Sequence, residues 1–158
     1  MATERAAPFF LSRDQDRFNE PKDIGIGLLS FKVTGAESQG GLFIGELVHH
    51  APGGPPRHIH PYQDEWFSVL EGHYRIVVGD QLFDLGPGDS VYGPRGVVHT
   101  WAHIGDETGR MMFVISPSGK MEGFLSALGR AKQLAPQEPT FWQRYDLELA
   151  GPPILSTP

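Results

Sequence analysis

Residues 57–72 read RHIHPYQDEWFSVLEG. Two histidines one residue apart are followed, five positions on, by Glu65, and an apolar run then closes on Gly72. Residues two apart on a strand share a face, so His58 and His60 point the same way. The segment Pro61-Tyr62-Gln63-Asp64 carries turn chemistry, so parity alone does not place Glu65 against them. Beyond Glu65 the strand resumes, with Phe67 and Val69 on its face. A third histidine, His99, lies in GDSVYGPRGVVHTW (88–101), on a strand after a Pro-Arg-Gly turn. Three imidazoles and a carboxylate on the inward face of a barrel carry a large desolvation penalty unless paired. A divalent cation removes it, because neutral imidazole and carboxylate are its natural ligands. The bland alternative is ordinary surface or core histidines, and a lone His-x-His would not decide against it.

Outward from this stretch the chain is built of short strands. GLLSFKV and LFIGELVHH precede it; YRIVVGD, QLFDLGPGD, VVHTWAHI and RMMFVISP follow, each bounded by turn formers. The 158 residues include 20 Gly and 14 Pro, which suits tight turns between strands rather than a helical bundle. The segment VVGDQLFDL reads as a hairpin with Gly79-Asp80 at its tip. The expected class is all-β, a sandwich or barrel. Three regions are expected: a polar arm over 1–25, the barrel over 26–116, and a C-terminal helix with an extended tail over 117–158. In the last region Met121, Phe124, Leu125 and Leu128 fall at helical spacing, a stripe that reads as a helix packed on the barrel's outside. Ser118 reads as its N-cap and Pro136 as its stop, with Arg130 and Lys132 suiting the negative C-terminal end. FWQRYDLEL reads as a final strand or an extended lid.

The net charge of −6 argues against a nucleic-acid or anionic-membrane partner, either of which wants a basic face. With no cysteine, disulfides and thiolate metal sites are excluded, so any metal must be held by His, Asp or Glu. The same composition suits a cytoplasmic protein. The opening residues show no secretory pattern, and no apolar run is long enough to span a bilayer.

Two spaced patterns then point to a family. Residues 58–72 read H-x-H-x4-E-x6-G (His58, His60, Glu65, Gly72), and residues 88–99 read G-x5-P-x-G-x2-H (Gly88, Pro94, Gly96, His99). Together they resemble the two motifs of the cupin superfamily, with the short spacer of small single-domain, quercetin-dioxygenase-like members. The resemblance implies a double-stranded β-helix, a jelly-roll barrel, with His58, His60, Glu65 and His99 holding one divalent ion: Fe, Mn, Ni, Co, Cu or Zn. It also implies Glu65 as a base toward a bound hydroxyl. The chain departs from the family where the second motif often ends in Asn, since His103 stands there. Two strand steps put His103 about 13 Å from His99, so it reads as a polar barrel-end residue. His49, His50 and His73 get the same bland reading.

Parity places Phe67, Val69 and Trp101 beside the ligands as substrate-binding residues, and neighbouring strands add Phe43, Tyr92 and Ile115. Plain core packing is the alternative for each. The leading expectation is a metal-dependent oxygenase acting on a small aromatic or enol-like molecule. Non-oxidative isomerase or lyase chemistry, or a non-catalytic sugar-like ligand module, stay open, because fold does not fix reaction. By similarity with cupins a homodimer is expected, with Trp66 and Leu70 on an outer face.

Overall fold

The computed structural model describes residues 6–154, so the first five residues of the expected arm lie outside the described residues. In chain order come β1 (Lys22–Asp23), β2 (Gly27–Val33), β3 (Phe43–His49), β4 (Arg57–Ile59), β5 (Asp64–Glu71) and β6 (His73–Val78). These are followed by β7 (Gln81–Leu85), β8 (Ser90–Gly93), β9 (His99–Ile104) and β10 (Gly109–Ser116). Helices α1 (Met121–Ala131) and α2 (Pro139–Gln143) and strand β11 (Glu148–Gly151) complete the fold.

The strands form two antiparallel sheets, ordered β1-β2-β3-β10-β5-β8 and β11-β4-β9-β6-β7. This is the jelly-roll class expected from the strand spacing, but the barrel is not closed. No hydrogen-bonded ladder joins the sheets among the described residues; the chain crosses between them at corners. Gly72 is one such corner, at φ +76°, where an added Cβ would stand 2.8 Å from the Thr108 carbonyl oxygen. Only glycine meets both conditions, which explains its place at the end of the first motif. Val78 pairs with Gln81, so Gly79-Asp80 is the two-residue hairpin tip read from the sequence.

Alternation along β5 sorts the two faces. Glu65, Phe67 and Val69 are buried between the sheets, whereas Trp66 and Leu70 are exposed. Phe43 meets Phe31 edge-on at 4.9 Å and Phe113 at 5.9 Å, which fills the core away from β4. Among the described residues the arm has no strand before β1, but it is tied down. Asp16 accepts backbone N–H bonds from Phe31, Phe18 and Glu20 at 2.7–3.0 Å. Burial alone would raise its carboxyl, but these donors outweigh it and hold the group below its ordinary range. Arg110 bonds Asp14 at 2.7 Å and Glu46 at 2.5 Å, joining the arm to the sheet.

The C-terminal region departs from expectation in detail. The N-cap of α1 is Lys120, with no side-chain cap bond, and Ser118 contributes only its carbonyl, to Met121 N at 3.2 Å. The helix ends at Lys132 in the left-handed conformation (φ 52°), ahead of Pro136. FWQRYDLEL divides: Phe141-Trp142-Gln143 lie in α2, opened by Pro139 at the position where a missing N–H costs nothing. Glu148 and Leu149 pair with Ile59 and His58 of β4.

Candidate metal centre

β4 and β9 meet with His58 directly opposite His99. His60 stands one residue past β4, and Glu65 reaches in from β5 on the facing sheet. All four side chains are buried, and one ligand atom from each lies within 4.8 Å of the others. Glu65 Oε2 is 2.9 Å from His99 Nε2 and 3.3 Å from His60 Nε2. The imidazole centroids are 4.5 Å apart for His58–His99, 5.2 Å for His58–His60 and 5.1 Å for His60–His99.

The outer partners fix what these rings present inward. His58 Nδ1 faces the Pro56 carbonyl oxygen at 2.7 Å, and His99 Nδ1 faces that of Val97 at 3.2 Å. His60 Nδ1 faces Gln63 Oε1 at 3.1 Å. Each partner is an oxygen that only accepts, so each Nδ1 carries the proton and each Nε2 offers a lone pair. Burial lowers the His58 imidazole well below its ordinary value, and neighbouring His99 and His60 push the same way. Burial also lowers His60, against the pull of Glu65. Neutral imidazoles are the ligating form. Three inward lone pairs and a carboxylate form a set of converging acceptors, and the residues present fit a divalent ion.

The site opens into a cavity of about 60 Å³. Its polar side chains are His58, His60 and Glu65 at one end. Leu29, Leu47, Phe113 and Trp101 line the sheet side, while Met121, Phe124, Leu125 and Leu128 of α1 close the other. The helical stripe thus caps the cavity as well as covering the sheets. Trp142 of α2 stacks on His58 at 4.9 Å and donates its indole N–H to Pro136 O at 2.8 Å. Among the described residues no lysine, arginine or aliphatic hydroxyl lines the cavity.

Of the residues expected to line it, Trp101 does so. Phe67 sits behind His99, edge-on at 5.9 Å, and Val69 is core. Phe43 and Ile115 are fully buried core residues outside the lining. Tyr92 is exposed and bonds Asp64 on the outer surface, because its position on β8 has the opposite parity to that required. Sequence reasoning missed Phe113, Leu29 and Leu47, whose facing comes from strand order, and Trp142, whose short helix gives no periodic signal. It also missed Gln63, the partner of His60.

His50 is exposed, and exposed His73 pairs with Glu107 at 2.5 Å. His49 and His103 behave differently. Both are fully buried, stacked at 5.4 Å, on the far side of Trp101 from the candidate metal ligands. His49 Nδ1 meets the Tyr74 hydroxyl at 2.7 Å, and His103 Nδ1 meets Ala51 O at 3.2 Å. Neither Nε2 has a hydrogen-bond partner among the described residues. Burial, aided by His103 and His50, lowers His49 to about 3.

This is the class of a double-stranded β-helix with a candidate His3Glu site. Residues 46–115 match the cupin domain family. A solved RmlC-like cupin from Shewanella frigidimarina NCIMB 400 superposes with a TM-score of 0.60 at 20% identity, over 75% of this chain and 99% of that one. The domain match supports the cupin superfamily, and this neighbour shows the same fold. Among curated proteins, 60 residues are 33% identical to the polyketide synthase CurC of Streptomyces cyaneus, over 38% of this chain and 39% of that protein. Ninety residues are 29% identical to protein SchB of Streptomyces halstedii, over 57% and 63% respectively. The match therefore spans less than two thirds of either relative.

Proposed function

We propose that the protein is a metal-dependent cupin oxygenase whose substrate is a small, neutral aromatic or enol-like compound. The observation that carries this reading is the contrast within the cavity: three of the four converging acceptors, His58, His60 and Glu65, at one end, and apolar walls without a cation among the described residues elsewhere. A divalent ion held by His58, His60, Glu65 and His99 supplies Lewis acidity and open coordination positions. The apolar walls exclude water and strengthen every charge interaction inside. Trp101 and Phe113 offer aromatic surfaces to a planar molecule. Glu65, with Oε2 next to two imidazoles, is the group placed to take a proton from an enol hydroxyl. A carboxylate substrate would find no arginine or lysine in the lining, and a sugar would leave its hydroxyls unpaired there. The CurC name supports the enol class by analogy, because 1,3-related ketones of a polyketide chain enolise readily.

The cavity is smaller than the space of about 150 Å³ that holds a benzene-sized molecule. Binding an aromatic ring therefore needs α1 and α2 to shift from their seats.

The test is O2 uptake by Fe(II)- or Mn(II)-loaded protein, prepared anaerobically, with flavonols and 1,3-diketones. Consumption of O2 with incorporation into product is expected. No uptake with any of these compounds overturns the oxygenase reading, and turnover under argon replaces it with isomerase or lyase chemistry. We also propose that two copies pair over the outer face of the six-stranded sheet, where Trp66 and Leu70 are exposed. A monomer mass by light scattering at micromolar concentration overturns that pairing.

A further inference from the structure

Gln63 lies in the turn between β4 and β5, buried, and its side-chain amide is fully committed. Nε2 donates to Pro117 O at 3.0 Å and to Ser118 O at 2.8 Å. Both partners are backbone carbonyls, which only accept, so the amide nitrogen must face them. That leaves Oε1 toward His60 Nδ1 at 3.1 Å, and Oε1 too only accepts. The orientation of one amide thus dictates the tautomer of one imidazole and leaves His60 Nε2 free to ligate.

The other end of this linkage is the turn that launches the cap. Ser118 is buried, and Gly119 follows it at φ +52°, where an added Cβ would stand 2.6 Å from Gln63 Nε2. The turn is pressed against the amide, and only glycine allows that approach. Two residues later Met121 begins α1 and lines the cavity. One side chain therefore touches both a candidate metal ligand and the root of the helix that covers the cavity.

We propose that Gln63 is a positioning residue that couples metal binding to the seating of the α1 cap. The inference rests on the reading that His58, His60, Glu65 and His99 hold a divalent ion. A metal on His60 Nε2 holds the ring, the ring holds the amide, and the amide holds the 117–119 turn. The coupling is reciprocal: whatever factor the seated cap adds to metal affinity, bound metal adds to cap seating.

Two variants separate the two ends of the linkage. Gln63→Glu keeps an acceptor for His60 Nδ1–H but sets a carboxylate oxygen against two carbonyls. Gln63→Met keeps the volume and removes both interactions. Each full-length protein, stripped of metal, is titrated with Co(II), and amide hydrogen exchange of 121–128 is followed with and without the ion. Histidine ¹⁵N spectra of the metal-free proteins read the tautomer. Wild type should bind one Co(II), slow its α1 exchange on binding, and show His60 protonated on Nδ1. Gln63→Met should bind about 10- to 100-fold more weakly, mix tautomers at His60 and lose the metal-dependent slowing. Gln63→Glu should keep the tautomer and bind more tightly than Gln63→Met, while its α1 exchange stays fast in either state. Equal Co(II) affinity in all three proteins, or metal-dependent slowing that persists in both variants, overturns the coupling while the metal site stands. Failure of wild type to bind Co(II) at all overturns the metal site itself, and the coupling with it.

Discussion

Two buried groups of histidines stand on either side of Trp101, and they are built on opposite plans. At His58, His60 and His99 each Nδ1 is satisfied by an outward acceptor, and the Nε2 atoms converge beside a carboxylate. At His49 and His103 the Nδ1 atoms are also partnered, yet among the described residues both Nε2 atoms lack a hydrogen-bond partner and no carboxylate joins them. Burial is common to both groups, so burial does not make a metal site. Convergence of lone pairs beside a shared negative group is what makes the first group a candidate for one.

The sharpest break of this comparison exchanges one histidine from each group. His99→Ala should weaken metal binding by about 100-fold or more, read as metal content after desalting, whereas His103→Ala should leave the content unchanged. Equal losses would erase the distinction.

Acid provides the next largest difference. His49 is neutral in folded and unfolded chains above its ordinary value of 6.5, so it adds no pH dependence there. Below 6.5 the unfolded chain takes up a proton that the folded chain refuses until about 3. Stability therefore falls with falling pH across that window, by at most about 1.4 kcal/mol per pH unit from this group. Urea unfolding of the metal-free protein from pH 7 to pH 4 measures it, and His49→Phe should flatten the slope. An unchanged slope in that variant would remove His49 from the account.

Smaller still is Tyr74→Phe, which strips His49 Nδ1 of its partner and should cost about 1–3 kcal/mol of stability. Metal content should not change; a loss of metal would show that the two groups communicate. Tyr92→Phe should do least. Its hydroxyl bonds Asp64 on the outside, so neither Co(II) affinity nor substrate KM should move.

The candidate ligand set was legible because it is local and spaced: His58 and His60 share a face by strand parity, and Glu65, which parity does not place, joined them through the resemblance of two spaced motifs to the cupin pattern. His99 became legible through the spacing of glycine and proline at the corner before it. The outward facing of Trp66 and Leu70 followed from parity alone. The cavity wall did not follow. Tyr92 failed because parity was guessed across strands whose order the sequence does not state, while Phe43 and Ile115 are core for the same reason. The amphipathic stripe of α1 was plain, but a stripe says that a helix packs, not against what. Closure of the barrel was a matter of sheet edges, and edges are set by pairing between distant segments that no local pattern reveals.

β4 is only three residues long, and β11 flanks it on the side away from β9. Such a short strand has little hold of its own, so the ring of His58 is steadied by a splint from the far end of the polypeptide. Substitutions in 148–151 should accordingly register as changed metal retention before they register as changed fold, so that the candidate site would be tuned without altering a single one of its four residues.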